Sequence, residues 1–538
     1  MGTPVQDTID LKSTSTKEVF EVMRCLKKKS CGADDVHPKL LLRTRKIIAP
    51  ILAHFFNLCI EKREYPDLLK IAKVIPLFKK SLEDERSEPG NYRPISLLSA
   101  INKILEKIIH MRLTRFIVKN DILYKYQFGF RRSHSTTLAL IDVVDNIRKN
   151  LHMGKKVAGV YIDFSKAFDT VNHDILVQKL EHYGISGNML ELLKSYLNNR
   201  RQYTVANDTE SEELEINCGV PQGSVLGPLL FILYTNDIQN CTDHTLKLFA
   251  DDTNGFIFED NHTQLKRKII KLLQNLFKWS EENKLTINTS KTCFSIFHRS
   301  KDLVPTFLNS VKIPGSPNQI TIKREKVSKY LGLYLDEQIS WEHHLTHAED
   351  GLLAKLTKVN NSFKMVKHCI PEKNKKLIFN AYFLSKIQYG IELFGCADHK
   401  LIHKLQVKQN RALKILFNKD FYTPTKKLHA DLNIPTVSDI HKFTMAKFVY
   451  RQQNNKLPSI YDNHFTKVGE THGHTTRQQD LLKIENTVHK STHSENTSTK
   501  IGAKIWNVLP KEIREADKLY KFKNYCKVFY IDQYETDK

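Results

Sequence analysis

The chain has 538 residues, 41% of them hydrophobic and 26% charged, too long for a single hydrophobic core and enough for two to four domains. Lys and Arg number 83 against 59 Asp and Glu, a net charge of +24, which points to a polyanionic partner, nucleic acid before anionic membrane. Nine scattered cysteines without a C-x-x-C pair, no secretory leader and no apolar run of roughly 20 residues argue against a disulfide scaffold and a membrane helix, and favour a reduced intracellular setting.

In chain order, apolar residues at three-and-four spacing predict helices over Val19–Cys25 and Leu40–Ile60, with a loop at 31–35 between them. Lys73–Phe78 is strand-like, Ser81–Asn91 is a charged loop, and Ile101 to Ile117 carry one face of a long helix. Val157–Phe164 reads as a compact apolar strand ending in Asp163, and Asn172–His182 opens the next helix. Gly219-Val220-Pro221-Gln222-Gly223-Ser224-Val225-Leu226-Gly227-Pro228 has the glycine and proline density of a loop with close backbone approach, followed by a helix from near Leu229. Leu246–Ala250 predicts a strand, Thr253-Asn254-Gly255 a turn and Phe256–Phe258 the returning strand. Asp251 and Asp252 then point to opposite faces.

Leu265–Phe277 predicts an amphipathic helix, Val327–Leu335 a buried hairpin strand, and 345–450 mainly helices. Residues 351–450 hold 18 Lys and Arg against 6 Asp and Glu, half of the whole basic excess. Lys408, Arg411 and Lys414 step by three along one helix there, on a face suited to nucleic-acid phosphates; a merely solvated basic face is the ordinary alternative. Residues 466–500, rich in Thr, Ser, His and Asn, predict a mobile loop, and Trp506 and Phe529 anchor a short folded tail. The histidines at 472, 474, 489 and 493 lack cysteines or carboxylates at ligand spacing and read as solvated.

The chemistry-bearing feature is the pair of acidic sites. Tyr161-Ile162-Asp163-Phe164-Ser165-Lys166-Ala167-Phe168-Asp169 ends one apolar strand, and Phe249-Ala250-Asp251-Asp252 ends another. Aspartates at a solvated hairpin tip are the ordinary explanation of the second site. If the strands are neighbours in one sheet, the carboxylates suit a pair of hard divalent cations. Such ions prefer oxygen ligands and complete their shells with water and substrate phosphates.

The three blocks D-F-S-K-A-F-D, G-V-P-Q-G-S-V-L-G-P and F-A-D-D, in that order, resemble the palm motifs of reverse transcriptases, best those of jockey-like non-LTR retrotransposons. The likeness extends upstream through N-Y-R-P-I-S-L at 91–97 and Q-F-G-F-R at 127–131. Downstream it runs through Trp279, Asn283-Lys284-Leu285, Asn288, Lys291-Thr292 and Tyr330-Leu331-Gly332, covering roughly 50 to 340. The resemblance implies an α+β right-hand polymerase fold, with fingers, a palm bearing an antiparallel sheet and a helical thumb, plus a helical C-terminal region. It divides the chain into a helical extension (1–57), a reverse transcriptase domain (58–340), a basic thumb (341–450) and a C-terminal region (451–538). It implies an RNA-directed DNA polymerase extending a primer 3′-hydroxyl with dNTPs on an RNA template, using two Mg²⁺ ions, with Mn²⁺ as a substitute.

Residue by residue, the resemblance makes Asp163 and Asp251 the principal metal ligands and Asp252 the third carboxylate. Phe168 would pack under the incoming sugar and exclude a 2′-hydroxyl, an ordinary core aromatic being the alternative. Gln222 and Gly223 would lie against nucleotide and template, and Lys291 near the triphosphate. Arg93, Arg131 and Lys79 compete for phosphate contact. Fewer than sixty residues precede the fingers, so no endonuclease domain is expected, nor a zinc knuckle or an RNase H domain. A catalytically silent RNA-binding relic of a retroelement is the rival reading. A maturase or telomerase would need domains not seen here. The nucleus is the favoured compartment, and RNA template, DNA primer or target, and dNTPs are the expected partners.

Overall fold

The computed structural model describes residues 4–27, 31–79, 86–300, 302–314, 320–471, 479–484 and 491–536. Helices and strands follow one another as α1 (Thr16–Arg24), α2 (Pro38–Lys62), β1 (Ala72–Phe78), β2 (Tyr92–Leu97), α3 (Ala100–Lys119), α4 (Thr136–His152) and β3 (Lys156–Ile162). Next come α5 (His173–His182), α6 (Gly187–Leu197), β4 (Arg200–Ala206), β5 (Thr209–Glu210), β6 (Leu214–Ile216) and α7 (Gly227–Tyr234). Then β7 (Leu246–Phe249), β8 (Asp252–Glu259), α8 (His262–Glu282) and β9 (Cys293–Phe297) follow. The chain is a mixed helix-and-sheet protein of two compact units. The first holds Met1–Phe130, Ile162–Asn254 and Lys271–Thr292, and the second the remainder.

In the first unit β1 pairs antiparallel with β2, Lys73 opposite Leu97, and parallel with β4, Ala72 opposite Gln202. β5 and β6 both pair with β4. Pro76 and Pro94 face each other across the β1–β2 ladder, a ladder position where neither ring nitrogen can donate. Helix α3 forms because Ser99 caps its first turn, accepting from the Ile101 N–H. It buries Ile104, Leu105, Ile108, Ile109 and Leu113 completely. Glu106 lies on the same face and is also buried. Its carboxylate accepts from Tyr196 Oη at 2.7 Å and from the Val225 N–H at 2.6 Å, so one acidic side chain ties a core helix to the 219–228 loop. Burial pushes this carboxyl up, against those hydrogen bonds.

The remaining sheet has strand order β7–β8–β3–β9, so the two strands that carry the acidic motifs are neighbours. The turn between β7 and β8 falls at Ala250–Asp251, not at Thr253–Gly255 as the Asn-Gly pair suggests. Thr253, Asn254 and Gly255 lie inside β8 and are buried. Ala250 takes the left-handed backbone at φ 58° that a tight turn demands. Tertiary burial overrides the local turn preference. Asp251 therefore sits in the turn and Asp252 opens the strand, so they are not two alternating positions of one strand.

In the second unit β3 runs antiparallel to β9, Val157 opposite Phe297. Val327–Leu335 is two strands rather than one: 327–330 and 333–336 fold back through Leu331-Gly332. From Glu342 onward the named elements of the described structure are all helices, as the 345–450 patterning predicts. Residues 491–500, expected to belong to a mobile loop, are instead ordered. Ser491 caps the short helix Thr492–Glu495 reciprocally with Ser494, and Ser498 opens the helix Ser498–Val508. Ser498 N–H and Oγ both donate to the buried Asp145 carboxylate of α4, at 2.8 and 2.5 Å. Polar composition misled because these polar groups are mutually satisfied. Of the four loop histidines only His493 lies among the described residues. Trp506 is buried as expected, but the C-terminal helix Leu519–Thr536 turns Phe522 inward, stacked on Tyr450 at 4.3 Å, while Phe529 stays half-exposed. Among the described residues no helix is long and apolar enough to cross a membrane.

Candidate active site

Strand β3 is buried through Ile162 and stops at Asp163, because Lys166 adopts a left-handed conformation (φ 48°) and turns the chain into a short 3-10 helix, Ala167–Asp169. The Asp163 backbone is held on both sides: its carbonyl accepts from the Asn288 N–H at 2.7 Å, and its N–H donates to Thr292 Oγ1 at 3.4 Å. Lys291 follows from this bracket, its Nζ 3.7 Å from Asp163 Oδ2. The turn bearing Asp251 is held from the other side. Gln127 Oε1 accepts from the N–H groups of both Gly129 (2.8 Å) and Ala250 (3.2 Å), and Phe128 N–H donates to the Leu248 carbonyl at 2.8 Å. Gly129 leaves no room for a side chain: a Cβ there would lie 2.4 Å from the Ala250 nitrogen.

The electrostatics fit a cation-seeking site. Asp251 and Asp252 keep solvent-exposed surface, yet partial desolvation, then the neighbouring Asp251 and Asp163 carboxylates, push Asp252 up to about 6. Partial desolvation followed by Asp163 also raises Asp251, opposed by a backbone hydrogen bond and then by Arg93. Carboxylates that raise one another in this way are relieved by a counter-ion. Among the described residues no group of three or more His, Cys, Asp and Glu side chains stands close enough together to hold a metal ion by itself. The donor set fits an ion of the Mg²⁺ type, which takes one or two carboxylates and leaves its other positions to water and substrate phosphate.

A cleft of about 1560 Å³ opens on this edge. Asp163, Asp251, Phe168, Gln222, Arg93, Lys79 and Lys291 all line it, so the first unit brings these candidates to one surface. Residues 78–335 match the reverse transcriptase (RNA-dependent DNA polymerase) family. This part of the chain belongs to that family. The chain is 30% identical over 459 residues to a probable RNA-directed DNA polymerase from transposon BS of Drosophila melanogaster, covering 82% of this chain and 48% of that protein. It is 30% identical over 392 residues to a probable RNA-directed DNA polymerase from transposon X-element of the same fly, 71% of this chain and 42% of that protein. Against the RNA-directed DNA polymerase from mobile element jockey of Drosophila funebris it is 26% identical over 453 residues, again 82% and 48%. The chain thus spans about half the length of the curated relatives it matches.

Within this reverse transcriptase domain Phe168 is stacked on Phe231 (4.3 Å, 17°) and met edge-on by Phe130 (6.3 Å, 82°), leaving it half-exposed at the cleft wall. Gly223 does not line the cleft. Its backbone (φ 128°) passes so close to β2 that a Cβ would stand 2.5 Å from the Ser96 carbonyl oxygen, so its glycine is required by packing against that strand. Asp252 is likewise outside the lining, while Arg131 belongs to the second unit. On the helix His399–Leu416, also in the second unit, Arg411 is exposed and Lys408 partly so. Lys414 is engaged: its ammonium donates to the Phe421 carbonyl and stands 5.5 Å from that ring's centre.

Sequence reasoning missed three residues that hold the site together: Gln127, Glu106 and Asp169. Glu106 was legible as a charge on the buried stripe of α3. Asp169 ends the D-F-S-K-A-F-D block; its carboxylate accepts from Gln222 Nε2 at 2.9 Å. Burial raises it, against that hydrogen bond and the Lys166 and Lys79 charges. Gln127 carries no signal beyond its place in Q-F-G-F-R.

Proposed function

We propose that this chain is an RNA-directed DNA polymerase of a non-LTR retrotransposon, extending a primer 3′-hydroxyl with dNTPs on an RNA template. The observation that carries the reading is the acidic pair of strand ends, Asp163 and Asp251, on a cleft rimmed by Lys79, Arg93 and Lys291. Reverse transcriptases generally use divalent metal ions; two Mg²⁺ would lower the pKa of the primer hydroxyl and balance charge on the triphosphate. Asp163 and Asp251 would hold them, with Asp252 as the nearby third carboxylate. Arg93, Lys79 and Lys291 neutralise phosphate oxygens, and Lys291 is placed to leave Asp163 when a stronger cation arrives. Arg131 is the further phosphate candidate. Phe168, fixed by its stack on Phe231, presents a rigid face where the sugar sits; Gln222 offers a carboxamide to the nucleotide.

In this reading residues 58–340 supply fingers and palm of a right-hand polymerase, and the basic helices of 341–450 a thumb on the template–primer duplex. The strands from β1 to β2 with helix α3 act as fingers, and the β7–β8–β3–β9 sheet as the palm. The decisive experiment is primer extension on poly(rA)·oligo(dT) in Mg²⁺. Wild-type protein is expected to extend the primer, whereas Asp163→Ala and Asp251→Ala abolish extension with RNA binding and thermal unfolding nearly unchanged. Extension by either variant at the wild-type rate refutes the metal-site assignment. RNA binding without extension by the wild type makes the chain a silent relic.

A further inference from the structure

Backbone hydrogen bonds hold the loop carrying Gln222 to the chain around Asp169 and to β2, alongside side-chain contacts from Cys218, His173 and Glu106. Val220 N–H donates to the Phe168 carbonyl at 2.8 Å, Gly219 N–H to Val171 at 2.7 Å, and Ser96 N–H to the Gln222 carbonyl at 2.8 Å. A Cβ on Gly219 would fall 2.7 Å from the Asp169 carbonyl oxygen, which records how closely the two segments run. The loop's position therefore does not depend on the Asp169 side chain. What that side chain adds is a single hydrogen bond, from Gln222 Nε2 at 2.9 Å to Oδ1.

We propose that Asp169 is a positioning residue for nucleotide selection, fixing which end of the Gln222 carboxamide the incoming nucleotide meets. A carboxylate only accepts hydrogen bonds. It must draw the amide nitrogen toward itself and thereby turn Oε1 away as an acceptor for a nucleotide hydroxyl or N–H. Without it, the amide rotates between two near-equivalent orientations, one of which offers a donor where an acceptor is needed. Asp169 and Gln222 both line the cleft, so the ordered amide meets the substrate and the carboxylate acts through it. This inference rests on the reading of Gln222 as a nucleotide contact.

The test is a double-mutant cycle in primer extension, with KM for dNTP and the maximal rate measured separately for Asp169→Ala, Gln222→Ala and the double variant. Losing one oriented hydrogen bond should raise KM about three- to tenfold in Asp169→Ala, with the maximal rate within about twofold, and should add nothing once Gln222 is Ala. Asp169→Asn, whose side chain both donates and accepts, should restore part of the loss. If Gln222→Ala leaves KM unchanged, the nucleotide-contact reading itself fails. If Gln222→Ala raises KM and Asp169→Ala does not, or the two effects multiply independently, the positioning role is refuted. Thermal unfolding of each variant separates these outcomes from misfolding, which the conservative Asn variant avoids.

Discussion

Phe168 shows how one ring answers to two demands. Its stack on Phe231 and edge contact with Phe130 make it a packing residue, yet it stays half-exposed on the cleft wall. Phe168→Ala is therefore expected to raise incorporation of ribonucleotides relative to deoxyribonucleotides and also to cost about 1–3 kcal/mol of stability. A competition assay and a denaturant titration read the two effects separately; lost stability with unchanged sugar selection returns Phe168 to packing alone. Gly129 poses the opposite case, a residue with no side chain beside the turn that carries Asp251. Gly129→Ala forces its methyl into the Ala250 nitrogen, so the turn must shift. Since polymerisation tolerates little displacement of a reacting carboxylate, the extension rate should fall at least about tenfold, more than the change in thermal midpoint suggests.

Among elements, the lesson of the β7–β8 hairpin is that a strong local turn signal loses to burial. Asn254-Gly255 reads as a turn, but Thr253 and Asn254 are buried within the extended strand, and a bare alanine takes the left-handed position instead. The acidic motifs were nonetheless legible, because apolar strands ending in aspartate survive any shift of the turn by a few residues. The polar stretch near 491–500 was not, because sequence shows serines and threonines but not the buried Asp145 that they satisfy. The helix His399–Leu416 gave its apolar side correctly, with Leu405, Leu413 and Leu416 buried. It offers fewer free cations than its spacing suggests, since Lys414 is held by Phe421. Changing Lys408, Arg411 and Lys414 together to Gln should thus reduce the salt slope of template–primer binding by up to about two rather than three units. It should weaken unrelated sequences alike. Binding titrations at several salt concentrations decide it, and an unaltered slope means this face does not touch phosphate.

At the scale of the whole molecule, buried and half-buried imidazoles make acid destabilising. Burial lowers His110, His344 and His441 to about 4 and His464 to about 3. An unfolded chain protonates such groups near pH 6.5, while the folded one resists until about 4. Between these values the unfolded state binds more protons, so stability is fully present above pH 6.5 and declines as pH falls toward 4. Urea midpoints measured from pH 8 to pH 4 should show this decline, and His441→Gln should make it shallower. A flat profile would mean that the raised carboxyls of Glu106 and Asp252, which hold protons in the folded state over the same interval, offset the imidazoles.

The contact between Asp145 and Ser498 has a consequence for how the protein is made. A ribosome delivers α4 early, and its buried carboxylate must wait for the emergence of a segment some 350 residues further along the message. Until then the helix carries an acid on the face that will become interior, with the His464 imidazole as its earlier-emerging neighbour. A chain ending before this segment would leave the Asp145 carboxylate inside the second unit without two of its hydrogen-bond donors, a cost of order 1–3 kcal/mol for a buried acceptor.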